Sequence, residues 1–327
     1  MNIVVIGLGS MGRRRIRLTR AMHPDWSIVG IDLDVTRRHA VAEEFGIPVR
    51  DDLSLAVSEF NCSAALVCTS PKYHGSIVID CIRHGLNVFM ELNLIADWYQ
   101  EAIDLAAQKN CRLFVSSSFL YRREIQYIAK FVQGQKVNYI YHSGQYLPDW
   151  HPWESYKDFF VAENKTNACR EILAIELPWI ISAFSPVESF HVMADRNSGL
   201  EIDFNDNYMI SLQHQNGSKG VFCQDVISRK GLRRLEVYSE NLHLFWGGTP
   251  QTLEIWDIDK RELKQVAVYD DVEQNPKYNS NIIEDMYKDE LAAFFRYVED
   301  GVEPSYSLAD DSRTLALIDK IERAGNG

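Results

Sequence analysis

Five short runs in the first third of the chain are apolar throughout or nearly so: residues 3–6, 28–31, 64–68, 88–90 and 113–115. Between them the apolar positions recur at helical spacing, near 12–22, 35–45, 75–84 and 95–109. Strands that are apolar on both faces and alternate with helices build a parallel sheet covered on both sides. Residues 1–120 are therefore expected to form a doubly wound α/β domain. The rhythm changes beyond that point. A helix is predicted over 121–133, a strand over 137–146 and a second helix over 169–184. Strands then follow closely at 188–193, 208–214, 220–227, 232–238, 242–245, 252–258 and 263–269. Turns such as Gln215-Asn216-Gly217-Ser218 make antiparallel neighbours of some of them. Helices over 286–298 and 308–323 close the chain. Residues 121–327 are read as an α+β domain with a mostly antiparallel open sheet, its last helix free to pack back on the first domain.

A length of 327 residues accommodates two such domains, and 46% hydrophobic with 24% charged residues is a globular composition. The net charge of −12 argues against a nucleic-acid partner, which needs cations for its phosphates. No apolar stretch approaches the ~18 residues of a membrane span, and the opening MNIVVIG is a strand, so no signal peptide is expected. Six scattered cysteines without a CxxC pair read as free thiols, hence a reducing, cytoplasmic setting. No metal signature is present, and Ser116-Ser117-Ser118 lacks the frame of a nucleophile elbow.

The first strand runs into Gly7-Leu8-Gly9-Ser10-Met11-Gly12 and then a helix. In that context GxGxxG has a physical meaning. Gly7 makes the tight turn, Gly9 lets the backbone approach a pyrophosphate, and Gly12 permits close helix packing. The helix N-terminus adds free N–H groups and partial positive charge. Asp32 ends the next strand, where an acid accepts from the adenosine ribose and disfavours a 2′-phosphate. The cofactor is read as NAD, with NADP left open by Arg37 and Arg38 just beyond. Of Arg13, Arg14 and Arg15, one is a candidate for the pyrophosphate and the others for the surface.

Ligands of such sheets sit outside the carboxyl ends of the strands. The third run ends in Thr69-Ser70-Pro71-Lys72-Tyr73-His74. Thr69, Ser70 and Pro71 are candidates for cofactor contact. His74 is read either as a cofactor contact or as a cap of the next helix. The fourth run ends at Glu91, read either as a cofactor-side carboxylate or as an acid complementing a helix dipole. Buried there, it needs a partner or a raised pKa.

These segments, GLGSMG, VCTSPKYH, VFMEL and the helix after PSYSLADD, resemble the Gfo/Idh/MocA family, dehydrogenases of sugars, inositols and related polyols. The resemblance implies a Rossmann domain followed by a substrate domain whose open sheet makes dimer or tetramer contacts. It also implies Glu-Lys-Pro after the fourth strand, the lysine assisting proton transfer. This chain has Glu91-Leu92-Asn93. A second family signature, an Asp followed four residues later by a His, aligns with Glu171 and Ile175. Both the lysine and the histidine are thus replaced.

The helix carrying that second position holds Arg170, Glu171 and Glu176 among apolar residues. Such charges are costly unless paired or used. They are read either as an Arg170–Glu171 ion pair or exposed surface, or as a replaced catalytic set. Candidate bases are Glu171, favoured because the family's acid stands there, then Glu176, His151, Tyr146 and Glu91. An ion pair with Arg170 opposes the raised pKa a carboxylate base needs. The segment Gln145-Tyr146-Leu147-Pro148-Asp149-Trp150-His151-Pro152-Trp153 is dense in aromatic and hydrogen-bonding groups suited to sugar rings. Tyr146, Trp150, His151, Tyr121, Arg122 and Arg170 are the substrate-binding candidates. The GQYLPDW segment also resembles one in a subgroup linked to bacterial surface-polysaccharide and nonulosonic-acid sugar pathways. The expectation is an NAD(P)-dependent oxidoreductase of a sugar or nucleotide-sugar. Its rivals are a cofactor-binding sensor or partner subunit, and an enzyme using NAD transiently without net redox change.

Overall fold

The computed structural model describes residues 1–151, 154–272 and 282–325. Pro152 and Trp153, at the end of the aromatic segment, lie outside the described residues. The chain divides into two compact units. The first comprises Met1–Ser117 and Lys288–Arg313, the second Ser118–Tyr287 and Thr314–Gly327.

The first unit alternates strand and helix: β1 (Asn2–Ile6), α1 (Ser10–Met22), β2 (Ser27–Ile31), α2 (Val35–Phe45), β3 (Val49–Arg50), α3 (Leu53–Phe60), β4 (Ala64–Val67), α4 (His74–Arg83), β5 (Asn87–Met90), α5 (Tyr99–Lys109) and β6 (Leu113–Val115). The six strands are parallel in the order β3-β2-β1-β4-β5-β6. The order reverses beside β1, which opens a crevice at the strand ends. All five expected strands and the helices between them fall where the apolar runs put them, within a few residues. β3 and α3 were not anticipated. A two-residue strand of half-buried residues and a helix whose one buried residue is Ala56 carry too little periodicity. The helix expected from residue 95 starts at Tyr99.

The second unit contains α6 (Arg123–Val132), β7 (Asn138–Gly144), α7 (Ala168–Phe184), β8 (Val187–Asp195), β9 (Asn207–His214), β10 (Lys219–Asp225), β11 (Leu232–Ser239), β12 (Leu242–Trp246), β13 (Leu253–Asp257) and β14 (Glu262–Gln265). Its eight strands run β14-β13-β12-β11-β7-β10-β9-β8. Only β7 and β10 pair in parallel; the other neighbours are antiparallel. One face is packed by side chains such as Tyr139, Tyr141 and Phe222. The other leaves Ile140, Met193, Met209 and Val221 42–70% exposed, as alternation on a one-sided sheet requires.

α8 (Glu284–Asp300) and α9 (Leu308–Gly325) end the chain. The boundary expected at 120 lies three residues from the observed break. Residues 288–313 also belong to the first unit, so most of α8 and the start of α9 return to it, where the last helix was expected to be free to do so. The reason is chemical. Glu290 pairs with the buried Arg15, and Phe294 stacks edge-on to Phe89 and Phe114 at 5.6 and 5.9 Å. No helix among the described residues is long and apolar enough to cross a membrane.

Candidate active site

In the first unit β1 delivers Gly7 at φ +91°, and a Cβ there would sit 2.7 Å from the Cys68 carbonyl oxygen. A Cβ on Gly12 would lie 1.9 Å from the Gly7 oxygen. Both turns admit glycine alone. A Cβ on Gly9 meets nothing within 4 Å. That glycine therefore faces room a bound group can fill. It also caps α1, which has no side-chain cap and no acid in its first turn. An uncapped helix end before an open space suits a pyrophosphate.

Asp32 follows β2, and its carboxylate accepts from Leu8 N at 2.8 Å and Asp34 N at 2.9 Å. Two of its lone-pair positions remain for ribose hydroxyls. Leu33 beside it is 87% exposed, an apolar surface of the kind an adenine ring covers. Arg37 stands 3.8 Å from Asp32, while Arg38 is turned onto the carbonyls of Asp32 and Leu33. Arg38 is thus committed to the strand end, and Arg37 alone is placed to soften a preference for NAD.

At the ends of β4 and β6 the hydroxyl oxygens of Thr69, Ser70 and Ser117 are sealed from solvent and have no partner among the described residues. Buried polar atoms left unpaired are rare, and they cost free energy until something bonds them. They fit the carboxamide and ribose end of a dinucleotide. Pro71 is buried and opens the turn that shapes this edge. His74 takes neither expected role in full. It is buried as the first residue of α4, and its Nε2 donates to the Thr69 carbonyl at 2.9 Å. Burial lowers its pKa to about 4. It is a neutral brace behind the Thr69 loop.

Glu91 is held in a fork by Arg15, with Nε at 2.6 Å and Nη2 at 3.1 Å. The same guanidinium reaches Glu290 at 2.7 Å, and Glu290 also accepts from Ser116 Oγ and Ser117 N. Arg15 is fully buried, which corrects the reading of Arg13–Arg15 as a pyrophosphate contact plus surface residues. Burial pulls its pKa down, but Glu91 and then Glu290 hold it above the ordinary value. Burial raises the Glu290 pKa against the pull of Arg15. A bidentate pair of this kind engages both carboxylate oxygens of Glu91. The partner expected for a buried Glu91 exists, and it assigns Glu91 a structural role. The signal was legible: Gly12, Arg15 or Ile16, and Thr19 form one buried stripe at helical spacing.

Asn93, where the family has proline, is also buried. Its Nδ2 donates to Ile95 O at 2.7 Å and to Tyr99 Oη at 2.8 Å. Tyr99 in turn donates to Asp311 at 2.5 Å, as Tyr306 does at 3.0 Å. Burial pushes the Asp311 carboxyl up to about 6. An asparagine thus starts a polar chain from the end of β5 to the first turn of α9.

In the second unit α7 begins on an Asn167 cap that accepts from Arg170 N. Nearly all of this helix is buried. In its first two turns only Glu171 and Ile175 keep partial exposure, and their i, i+4 spacing puts them on one face. The feared ion pair is absent from Glu171. Arg170 instead reaches across to α9, to Asp319 at 2.7 Å and to Glu322. This corrects the reading of Arg170 as a substrate contact, because its guanidinium is already engaged by two acids. The Glu171 Oε2 atom is sealed and has no hydrogen-bond partner among the described residues. Burial alone pushes this carboxyl up to about 7.

Glu176 is the opposite case. It accepts from Tyr141 at 2.7 Å, Trp179 Nε1 at 2.6 Å, Ser143 at 3.2 Å and Arg233 Nε at 2.8 Å. Four donors fill the lone pairs of a carboxylate. Glu176 is therefore the hub joining α7 to β7 and β11. Arg122, expected at a substrate phosphate, is fully buried, pairing with Glu124 at 2.6 Å and Gly248 O at 3.0 Å. The Trp150 indole donates to Gln145 O at 3.1 Å, and His151 Nδ1 lies 2.7 Å from Glu154. Tyr146 is half-buried beneath the Arg229 guanidinium at 4.0 Å. Tyr121 is half-buried at the end of a short 3₁₀ turn. Among the described residues no cluster of His, Cys, Asp and Glu is arranged to hold a metal.

The glycine loop, the acid after β2 and the unpaired hydroxyls meet their counterpart in a family comparison. Residues 1–117 match the model of the oxidoreductase family with NAD-binding Rossmann fold, Gfo/Idh/MocA. They form an NAD-binding domain of the Gfo/Idh/MocA family. Solved structures extend the likeness of fold beyond this Gfo/Idh/MocA domain. A UDP-N-acetylglucosamine 3-dehydrogenase from Acidithiobacillus ferrooxidans is 14% identical, with 99% of this chain and 97% of that one aligned at a TM-score of 0.78. An Agrobacterium radiobacter oxidoreductase in complex with NAD⁺, L-tartaric acid and magnesium gives 14%, 100%, 96% and 0.78. A Synechocystis biliverdin reductase in complex with biliverdin and NADP⁺ gives 15%, 100%, 99% and 0.76. Substrates as unlike as a nucleotide-sugar and a tetrapyrrole share the fold, so the fold leaves the substrate open. A comparison with curated proteins finds no match.

Proposed function

We propose that the protein is an NAD-dependent oxidoreductase, NADP being the second choice, acting on a sugar or nucleotide-sugar with Glu171 as the general base. The observation that carries this reading is the Glu171 carboxyl. It is held at about 7 by burial, with one oxygen unpartnered, on the helix face it shares with Ile175. A base near neutral pH combines a useful ionised fraction with real proton affinity. When bound, NAD supplies the hydride acceptor. Glu171 takes the hydroxyl proton as the carbinol C–H bond gives up its hydride, so the alcohol becomes a carbonyl and the carboxylate a carboxylic acid. Asp32, the Gly7–Gly12 loop and the hydroxyls of Thr69, Ser70 and Ser117 hold the cofactor. His74 fixes the Thr69 loop, and Arg15 fixes the end of β5 through Glu91. Tyr146, Trp150 and His151 are retained as substrate contacts. A second copy of the chain is proposed to cover the open sheet face, giving a homodimer or homotetramer in the cytoplasm. Bacterial surface-polysaccharide synthesis is the proposed setting.

One observation favours a second reading. Leu92 and Ile175 stand where the family's lysine and histidine are expected. A leucine and an isoleucine carry no proton, which suits a cofactor-binding sensor or partner subunit, or transient use of NAD without net redox change. The test is to measure NAD binding by the purified protein and then follow reduced-nicotinamide absorbance with sugars and nucleotide-sugars. Cofactor binding with no reduction by any of them would overturn the dehydrogenase reading.

A further inference from the structure

The turn after β5 is tied to the start of α4 by polar groups that proton transfer does not use. His74 is fully buried, and Thr69 O can only accept, so the imidazole donates to it from Nε2 at 2.9 Å. Its Nδ1 is sealed from solvent and has no hydrogen-bond partner among the described residues. Asn93, three residues past the end of β5, is fixed in the same way. Ile95 O can only accept, so the atom facing it at 2.7 Å is Nδ2, which also donates to Tyr99 Oη at 2.8 Å. That leaves Asn93 Oδ1 sealed and unpaired as well. Asn93 is one of the groups that favour the charged form of His74, so the two side chains are neighbours. While the imidazole is neutral its one N–H is spent on Thr69, and an imidazole acceptor is left beside an amide acceptor. Buried acceptors left so are rare and call for a compensating gain. The contact is held firmly on both sides. Trp98 lies on Gly75, where a Cβ would stand 2.7 Å from the indole. Tyr99 Oη donates at 2.5 Å to the buried Asp311, which Tyr306 also bonds.

We propose that Asn93 is a positioning residue for the nicotinamide end of NAD, backing His74 so that the Thr69–Ser70 edge stays where the carboxamide and its ribose bind. The proposal rests on the cofactor placement above and is independent of the substrate and of the base. A proline in this turn would fix one φ and nothing beyond it. Asn93 instead couples the turn to the first turn of α9 through Tyr99, and to the loop after β4 through His74. A shorter side chain would relieve the unpaired acceptors and give the imidazole room to turn away from Thr69 O. A loop held beforehand in its bound arrangement gives up less freedom when the ligand arrives. The Thr69 and Ser70 hydroxyls, sealed and unpaired on this edge, are the groups so held.

The test uses the full-length protein and titrates NAD and ADP-ribose, which lacks the nicotinamide, by calorimetry. The parent is expected to bind NAD more tightly than ADP-ribose. Asn93→Ala is expected to weaken NAD binding by roughly tenfold or more, while ADP-ribose binding changes by less than about twofold. Tyr99→Phe cuts the tether to Asp311 and keeps the ring. It is expected to weaken NAD alone, by roughly threefold, and it carries the test by itself if the alanine variant does not fold. The double variant is expected to bind NAD no more weakly than Asn93→Ala, because both changes act through one chain. The proposal is overturned if NAD and ADP-ribose weaken by the same factor, if NAD affinity is unchanged, or if the two losses add. A parent that binds ADP-ribose as tightly as NAD overturns the cofactor placement itself, and the positioning role with it.

Discussion

Replacing Glu171 by glutamine separates the chemistry of this carboxyl from its shape. The group ordinarily titrates at 4.5, and burial pushes it to about 7. Each tenfold change in proton affinity is about 1.4 kcal/mol. Its folded pKa lies above its unfolded one, so the native state binds the proton more tightly. Stability is therefore lost as pH rises from 4.5 toward 7 and is fully lost above that. The full difference is a little over ~3 kcal/mol, and the partial exposure of the residue puts the expected value nearer ~2 kcal/mol. Glutamine keeps the volume and does not ionise. Any penalty from its unpaired amide is the same at both pH values. Urea unfolding of parent and variant at about pH 5 and about pH 8 should show the variant gaining roughly 2 kcal/mol relative to the parent at the higher pH. In turnover, parent kcat/KM for alcohol oxidation should rise with pH through an inflection near 7, and the variant should fall by ~10²–10⁴-fold. An unfolding difference that does not change with pH would refute the buried-carboxyl argument. An unaltered pH–rate profile in the variant would refute the assignment as base.

The glycine loop gives a contrasting pair. Gly9→Ala meets no atom of the protein, so thermal stability should hold while NAD affinity, read by fluorescence titration, falls by tenfold or more. Gly12→Ala drives a methyl to 1.9 Å from the Gly7 oxygen and should lower the unfolding midpoint sharply. Arg15→Met strands two buried carboxylates and should cost about 3–5 kcal/mol in urea unfolding. Arg170→Met should lower stability by about 1–3 kcal/mol through the loss of Asp319 and Glu322, yet leave the pH–rate inflection in place. A shifted inflection would show that Arg170 does act on Glu171.

Where local pattern decides structure, the sequence was a good guide. The strands apolar on both faces, the GxGxxG turn and Asp32 could be read because strand, turn and helix N-terminus are all local. Glu171 could be aligned with the family's acid and favoured as base, but the choice between base and ion-pair partner depended on whether Arg170 pairs with its neighbour or with Glu322, 152 positions away. Distant partners explain the other corrections as well. Glu176 looked like a spare acid until β7 and β11 supplied Tyr141 and Arg233. Arg122 looked substrate-facing until Glu124 and Gly248 closed on it. β3 and α3 escaped because a short, half-exposed element has no pattern of its own.

The Arg15–Glu290 contact spans 275 positions of chain, and that separation has a consequence for synthesis. Glu290 is translated long after Arg15, once the whole of the second unit's sheet has been made. Until then the nascent first unit holds a guanidinium balanced by Glu91 alone, and Ser116 and Ser117 wait for the carboxylate they bond. The nucleotide-binding half should therefore remain immature on the ribosome until translation nears its end. A truncated chain ending at Ser117 should be a poor stand-in for it, whereas a chain rejoined so that residues 288–313 follow Ser117 directly should recover much of its order.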